Sequence, residues 1–248
     1  MSPGGALDAG APNAAPAPRI AVLDYGMGNI RSAEKALLRL GARAQITSDI
    51  ERARGADGLV LPGDGAFPKA VAGIRALGLD RVVADCAARG VPTLGICIGM
   101  QVLFEGSEEL GGAEGLGVLA GGVRALEAPG RKLPHIGWAP VEWRRASPLC
   151  AGLGPSTTLF HVHSFAPDPA DPEDVVGVAE HGRPFCSAVE RGAVWGVQFH
   201  PEKSSVDGLA LLANFVARCA AGTGAESPRA DAVAGPEGDA TRRQPSAA

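Results

Sequence analysis

The sequence lacks the features of disulfide-rich, zinc-binding and nucleic-acid-binding proteins. Its five cysteines are odd in number and include no CxxC pair, which argues against a disulfide framework or a zinc ribbon. Lys and Arg number 23 against 27 Asp and Glu, so the net charge is −4 and no overall basic surface is available to nucleic acid or anionic lipid. This cysteine usage suits the reducing cytoplasm.

Long apolar runs are also missing. The longest uncharged run, residues 90–104, contains Pro92, Thr93 and Gln101 and is shorter than the roughly 20 residues that span a bilayer. The N-terminus has neither the basic start nor the leucine-rich stretch of a secretory signal. We therefore expect a cytoplasmic protein with no membrane or nucleic-acid partner.

Both ends of the chain are poor in large apolar side chains. Ala, Gly and Pro make up thirteen of residues 1–18 and fifteen of residues 221–248. Such segments cannot bury enough apolar surface to offset the entropy lost on ordering. We expect both segments to be disordered and the residues between them, 19–220, to form a single domain with a sizeable core.

Within this domain, short apolar runs alternate with segments of helical spacing. Strands are predicted at 20–23, 58–61, 92–96, 158–163, 175–179, 186–189 and 194–199. Helices are predicted at 30–40, within 66–90, at 100–105 and at 204–218, the last with Ser204 and Asp207 as a capping box. The alternation predicts an α/β fold with a mostly parallel central sheet flanked by helices, to which the second half adds antiparallel strands.

The segment Gly95-Ile96-Cys97-Ile98-Gly99 stands between a predicted strand and a predicted helix. Glycines two residues before and after the cysteine relieve crowding in a tight turn, so Cys97 would project from the carboxyl end of the sheet as a nucleophile does. The N–H of Ile98 would then lie at a helix N-terminus, where it can stabilise a thiolate or an oxyanion. The same pentapeptide also fits a buried, structural cysteine between small residues.

The segment His200-Pro201-Glu202 supplies a base and a group that can orient it. Proline favours extended backbone in the residue before it, and residues i and i+2 of an extended chain project to the same side. Glu202 can therefore reach the ring of His200 while the other ring nitrogen faces Cys97, as nucleophilic catalysis requires. The alternative is a surface turn in which the two side chains occur by chance.

A third segment, Pro62-Gly63-Asp64-Gly65, follows the predicted strand 58–61. Its glycines allow backbone N–H groups to turn toward a ligand, so Gly63 is a candidate second oxyanion donor beside Ile98. An ordinary loop between a strand and a helix would have a similar composition.

Neither a metal nor a cofactor is predicted. His161 and His163 share a strand face, but no Cys, Asp or Glu stands at ligand spacing beside them. Gly26-Met27-Gly28 begins like a dinucleotide fingerprint, but Arg31 stands where the third glycine would be.

Taken together, these segments resemble the class I glutamine amidotransferases. The chain is similar to one branch in particular, the glutaminase subunits of imidazole glycerol phosphate synthase, over about residues 19–219. The resemblance rests on six segments in family order, which are Asp24–Asn29, Leu61–Phe67, Gly95–Gln101, Pro134–Trp138, Val162–Ser164 and Gly196–Ser204.

The resemblance implies a catalytic triad of Cys97, His200 and Glu202. Cys97 would attack the carboxamide carbon of glutamine, His200 would protonate the departing ammonia, and water would hydrolyse the thioester. The oxyanion donors would be Gly63 and Ile98. The residues implied to hold glutamine are Gln101, Glu109, Ser164 and Phe165.

The resemblance also implies a partner, a cyclase subunit with a (β/α)₈ barrel that uses the ammonia in histidine biosynthesis. The two would form a heterodimer. The residues implied at the interface are Tyr25, Asn29, His135, Trp138 and Lys203. The chain departs from the usual family pattern at Asp64, Ile136, Ala139 and Phe165.

Two alternatives stay open at this point. One is the glutaminase subunit of a different amidotransferase, of the anthranilate or GMP synthesis type, which would share the triad. The other is a subunit that binds a partner without catalysing a reaction.

Overall fold

A nine-stranded mixed sheet and a four-stranded sheet organise the protein. The computed structural model describes residues 16–222, so the segments expected to be disordered, 1–18 and 221–248, fall almost wholly outside the described residues. The strands are β1 (Arg19–Leu23), β2 (Arg43–Thr47), β3 (Gly58–Leu61), β4 (Thr93–Ile96), β5 (Gly106–Ser107), β6 (Ala113–Glu114), β7 (Gly121–Ala125), β8 (His135–Trp143), β9 (Ser156–His163), β10 (Phe165–Pro169), β11 (Val175–His181), β12 (Arg183–Arg191) and β13 (Val194–Val197). The helices are α1 (Ile30–Arg39), α2 (Ile50–Arg54), α3 (Phe67–Ala76), α4 (Leu79–Ala88), α5 (Ile98–Gln101) and α6 (Ser205–Ala220).

The large sheet has the order β2-β1-β3-β4-β13-β12-β11-β8-β9. Its first five strands are parallel, and every pairing from β13 to β9 is antiparallel. The small sheet has the order β10-β7-β5-β6. The predicted α/β fold, with a parallel part and additional antiparallel strands, is therefore confirmed.

Alternate residues of the parallel strands face two separate cores. Ile20 and Val22 of β1 lie in one core with residues of α1 and α6, whereas Ala21 and Leu23 lie in the other with residues of α3 and α4. Because helices cover both faces, the parallel strands β1, β3, β4 and β13 are buried along almost their whole length, which made these four strands easy to predict. The carboxyl ends of β3, β4 and β13 meet at one edge, where the loop 62–66, the turn at Cys97 and the segment 198–204 come together.

Six strands were not predicted because their local patterns are weak or very short, namely β2, β5, β6, β7, β8 and β10. β2 is an edge strand whose residues are mostly exposed or half-buried, and β8 contains Gly137 and Pro140. The predicted capping box of α6 is wrong. The hydroxyl of Ser204 caps no N–H group of the helix but donates to the carbonyl of His200 at 2.6 Å.

No helix among residues 16–222 combines the length and the apolar character needed to cross a membrane.

Candidate active site

Cys97 lies at the carboxyl end of β4 and directly precedes α5, with φ 54° and ψ −112°. A non-glycine residue rarely adopts a positive φ, and such strain is typically held at functional sites. The side chain is 5% exposed, and its thiol approaches the carbonyl of Val162 on β9 at 3.9 Å. The backbone therefore forms the tight elbow that the sequence predicted.

The two glycines of the elbow are required by close backbone contacts. A Cβ atom added to Gly99 would overlap the carbonyl oxygen of Leu61 on β3, and one added to Gly95 would lie 2.5 Å from the carbonyl oxygen of Gly99. The turn can therefore pack against β3 only because these two positions carry no side chain.

We expect Gly99→Ala to lower the free energy of unfolding by at least about 2 kcal/mol, because overpacking of a tight contact typically costs 1–3 kcal/mol and here the contact is with backbone. Urea unfolding measures this change. Gly122→Ala is the matched control, since a Cβ there would have its nearest neighbour at 3.7 Å. Equal stability of the two variants would contradict the elbow packing.

His200 and Glu202 form a buried pair beside the elbow. The Nδ1 atom of His200 lies 2.8 Å from Oε1 of Glu202, and the two side chains are only 3% and 5% exposed. Burial by itself lowers the pKa of His200, but the neighbouring Cys97 thiol and the Glu202 carboxylate outweigh it and raise this pKa to about 9. The remaining ring nitrogen, Nε2, is buried and makes no hydrogen bond within the described residues.

The backbone around this histidine only partly follows the predicted extended geometry. His200 itself is extended, with φ −104° and ψ 97°, but Pro201–Lys203 form one turn of 3₁₀ helix. The backbone N–H of His200 donates to the carbonyl of Phe160 at 2.9 Å, and the carbonyl of His200 accepts the Ser204 hydroxyl. Strand β9 and Ser204 therefore hold the backbone of His200 in place.

A pair of side-chain amides connects this region to the predicted glutamine-binding residues. Gln101 donates through Nε2 to the carbonyl of Phe165 at 3.0 Å and to Oε1 of Gln198 at 2.9 Å. Both hydrogens of that amide are thereby used, which leaves its carbonyl oxygen for an N–H group of a ligand. Gln198 in turn places Nε2 at 3.6 Å from Sγ of Cys97.

Gln198 was not among the predicted site residues. The sequence did contain a signal. In the apolar run from Val194 to Phe199, the only side chains that can form hydrogen bonds are Gln198 and the indole of Trp195. It is fully buried, and buried polar side chains need partners. The sequence could not show that one of these partners is Cys97.

The other predicted glutamine-binding residues lie around the same edge of the sheet. A carboxylate oxygen of half-buried Glu109 accepts the backbone N–H of Phe67, the first residue of α3, at 2.8 Å. The carbonyl of Ser164 accepts the N–H of Leu126 at 2.9 Å. Phe165 contributes its carbonyl to Gln101, so the structure ties Gln101 and Phe165 directly to the surroundings of Cys97.

The loop with the predicted oxyanion donor Gly63 packs against Ile98 and Tyr25. A Cβ atom added to Gly63 would overlap the side chain of Ile98 and lie 2.6 Å from the Tyr25 hydroxyl oxygen. That hydroxyl donates to the carbonyl of Pro62. Burial, with contributions from Cys97 and Asp64, raises the pKa of Tyr25, so its hydroxyl remains a donor to this loop.

The predicted interface residues fall into two groups. Asn29, Trp138 and Lys203 are exposed, and Trp138 is 53% exposed. Tyr25 and His135 are buried in this chain, so their side chains contact other parts of it, and their place at an interface stays a prediction. Tyr25 is held under the loop of Gly63, and the ring of His135 stacks on that of His181 with centroids 4.2 Å apart.

The histidines of β9 are occupied by contacts within the chain. The two ring nitrogens of His161 lie 3.0 Å from the Leu159 carbonyl and 2.9 Å from the Ser187 hydroxyl, and Nδ1 of His163 lies 2.9 Å from the Phe165 carbonyl. Burial lowers the pKa of His161 and His163 to about 3, so both rings are neutral. Their neutral rings serve packing and hydrogen bonding beside the site.

Residues 21–219 match the family model described as glutamine amidotransferase class-I. The fold agrees, since the chain is similar to a crystal structure described as glutamine amidotransferase, with a TM-score of 0.65 and 23% identity over 81% of this chain and 98% of that one. It is also similar to PurLQS from Thermotoga maritima, with a TM-score of 0.62 and 20% identity over 81% and 98% of the two chains. The chain belongs to the class I glutamine amidotransferases.

Its curated relatives point to one branch of that family. The imidazole glycerol phosphate synthase subunit HisH of Moorella thermoacetica is 46% identical over 196 residues, which cover 79% of this chain and 93% of the relative. The HisH subunit of Deinococcus radiodurans is 47% identical over 200 residues, with 80% and 93% covered. That of Thermobifida fusca is 46% identical over 209 residues, with 81% and 98% covered.

Proposed function

We propose that this chain is the glutaminase subunit of an imidazole glycerol phosphate synthase. It hydrolyses glutamine to glutamate and ammonia and passes the ammonia to a cyclase partner in histidine biosynthesis. The observation that carries the proposal is the buried His200–Glu202 pair at 2.8 Å, placed beside a cysteine on a strained elbow. The relatives named HisH support the choice of this branch over the anthranilate and GMP synthesis types.

The chemistry follows from these positions. Cys97 Sγ attacks the carboxamide carbon of glutamine, and His200 donates a proton to the nitrogen as the C–N bond breaks and ammonia leaves. His200 then takes a proton from water, which attacks the thioester and releases glutamate. Glu202 holds Nδ1, so Nε2 is the nitrogen that exchanges the protons in both steps.

The oxyanion formed in both steps needs donors on the carbonyl side. The N–H of Ile98 is the first of α5, and the first N–H groups of a helix have no acceptor within it. The second donor is assigned to the loop of Gly63, which contacts the Ile98 side chain. Removing one such donor typically costs about 10²–10³ in kcat, so the orientation of this loop controls the rate.

The surface beside the site carries an apolar patch formed by Ile136, Trp138, Phe160 and Val162. Ile136 pairs with Val162 and Trp138 with Phe160 across β8 and β9, and Ile136 is 64% exposed. The carbonyls of Phe160 and Val162 contact His200 and Cys97, so the strand that carries these two patch residues touches the reacting groups directly. Large exposed apolar side chains of this kind mark interaction sites.

We assign this patch to the cyclase partner, a (β/α)₈ barrel that forms a heterodimer with this chain. A partner seated here would cover the exit of the site and receive ammonia without its escape to water. Exposed Asn29 and Lys203 lie in the segments that follow β1 and β13 and would add polar contacts. Five free, buried cysteines fit a complex that works in the cytoplasm.

Trp138→Ala should weaken binding of the cyclase partner by about 30-fold, because buried interface tryptophans commonly contribute 2 kcal/mol or more. Calorimetric titration of the two subunits measures the affinity. Leu77→Ala removes an exposed apolar side chain at the end of α3 and serves as the control, with an affinity near that of the wild type. An unchanged affinity of Trp138→Ala would exclude the patch from the interface.

The proposed function is tested by purifying the chain with the cyclase and measuring glutamate release. We expect weak turnover of the chain alone and a strong increase with the partner and its ribotide ligand. Synthesis of anthranilate or GMP with the corresponding synthase, and none with the cyclase, would support a different amidotransferase. The absence of glutamate release under all conditions would leave only a binding role.

A further inference from the structure

A chain of side-chain amides ends on the sulfur atom of Cys97. Gln101 is 2% exposed and Gln198 is fully buried, so both amides must find their hydrogen-bond partners inside the protein. These hydrogen bonds lead from the Phe165 carbonyl through Gln101 and Gln198 to Sγ, with successive distances of 3.0, 2.9 and 3.6 Å.

The Phe165 carbonyl fixes which end of each amide donates and which accepts. The backbone carbonyl of Phe165 can only accept, so the amide nitrogen of Gln101 must face it. The same nitrogen also faces Gln198, which must therefore present its oxygen to Gln101. The NH₂ group of Gln198 is left on the side of Cys97, and a backbone group thus makes Gln198 a donor toward Sγ.

We propose that Gln198 is a further catalytic residue, which donates a hydrogen bond to Sγ of Cys97 and stabilises its thiolate during the reaction. This inference rests on the proposed function, in which Cys97 is the nucleophile. The observation that supports the proposal is the fixed orientation of the two amides. If the amide of Gln198 were rotated, it would lose its hydrogen bond to Gln101 and place its oxygen against Sγ.

The donor acts in both halves of the reaction. When Sγ attacks, the C–S bond forms from the thiolate electron pair and the C–N bond breaks to release ammonia. When water attacks the thioester, the C–S bond breaks and the electron pair returns to Sγ. Hydrogen bonds to ionised acceptors are stronger than those to neutral ones, so Gln198 favours the thiolate over the thioester and assists its departure.

An amide is suited to this position because it does not titrate. A Lys or Arg at residue 198 would place a permanent charge near His200, the group that must gain and lose a proton. Gln198 supplies a directed N–H without that charge, and its own oxygen is satisfied by Gln101. The site therefore stabilises the sulfur anion while leaving proton exchange to the imidazole.

The test measures alkylation of Cys97 by iodoacetamide as a function of pH, in the full chain, with the modified peptide followed by mass spectrometry. Gln198→Glu keeps the shape but replaces the donor by an acceptor, and Gln198→Met keeps the length without any donor. We expect each to raise the midpoint of the pH profile by about one unit and to slow alkylation at pH 7 about tenfold, since hydrogen bonds to charged groups are worth at least this much.

Thr93→Val is the matched control. Thr93 is fully buried on β4, and its hydroxyl donates to the Val91 carbonyl at 3.1 Å, away from Sγ. Its loss should lower the melting temperature and leave the midpoint unchanged, as a purely structural role of Gln198 also would. An unchanged midpoint in a folded Gln198 variant overturns the inference, and Gln198→Leu, which also lacks a donor and adds no charge, replaces Gln198→Met if that variant does not fold.

Failure of the proposed function gives a different result. If Cys97 is not the nucleophile, Cys97→Ser keeps glutamine hydrolysis in the complex with the cyclase. If only the role of Gln198 is wrong, Cys97→Ser is inactive while Gln198→Met keeps the wild-type pH profile of Cys97 alkylation.

Discussion

Cys97→Ala is expected to abolish glutamine-dependent synthesis by the assembled complex while leaving ammonia-dependent synthesis close to the wild-type rate. The reason is that the thiol forms the covalent bond between this chain and glutamine. Loss of a nucleophile in a comparable hydrolase costs on the order of 10⁶ in kcat. We therefore expect a loss of at least about 10⁴-fold. Externally supplied ammonia enters the partner reaction after this step and does not depend on the thiol.

Steady-state product formation with glutamine or with ammonium salt measures the two rates on the same preparation. Cys186→Ala is the matched control, because Cys186 is also buried but burial raises its pKa to about 12, so it remains a thiol. This variant should keep both activities. Parallel loss of both activities in a Cys97→Ala complex that still assembles would show that Cys97 acts in structure and not in chemistry.

The parts of this site that could be predicted are those with a local signal. The elbow needs glycines at two positions near Cys97, and both Gly95 and Gly99 meet backbone atoms that exclude a side chain. His200 and Glu202 are two residues apart, so their contact also depends on local geometry. This contact is present even though Pro201–Lys203 form a 3₁₀ turn in place of the extended backbone expected from the sequence.

The parts that could not be predicted depend on which strands become neighbours. Gln198 reaches Cys97 because β13, distant in sequence, pairs directly with β4. Tyr25 contacts the loop of Gly63 because β1 pairs with β3 and brings the loop after β1 onto it. In the same loop, a Cβ added to Gly28 would lie 2.9 Å from the Cα of Gly63. No pattern within either segment reports this contact.

Glu202→Gln is expected to retain more kcat than His200→Ala, because the two residues have different tasks. Loss of the group that exchanges protons with the reacting atoms typically costs about 10²–10⁴ in rate. Glutamine at 202 can still accept from Nδ1 through its amide oxygen and so keep the ring oriented. Within residues 16–222, the second carboxylate oxygen of Glu202 is buried without a hydrogen-bond partner, so its replacement by an NH₂ group breaks no bond of this part of the chain.

The two variants should also differ in the pH dependence of stability. The pKa of His200 is raised from 6.5 to about 9 in the folded chain, so the charged imidazole contributes stability that is fully present below about pH 6.5 and is lost as the pH rises through about 9. Glu202→Gln removes the counter-charge, lowers the pKa of His200 and flattens the unfolding free energy over this range. Urea unfolding between pH 6 and pH 10, with roughly unit steps, measures it.

Glu190→Gln is the matched control for both measurements, since Glu190 is a mostly buried carboxylate paired with Arg145 at 3.0 Å and far along β12 from the elbow. It should keep kcat and the pH dependence of the wild type between pH 6.5 and 9. A lower kcat in Glu202→Gln than in His200→Ala, measured on folded complexes, would contradict the assignment. It would mean that the carboxylate takes part in proton exchange and that His200 serves mainly to position it.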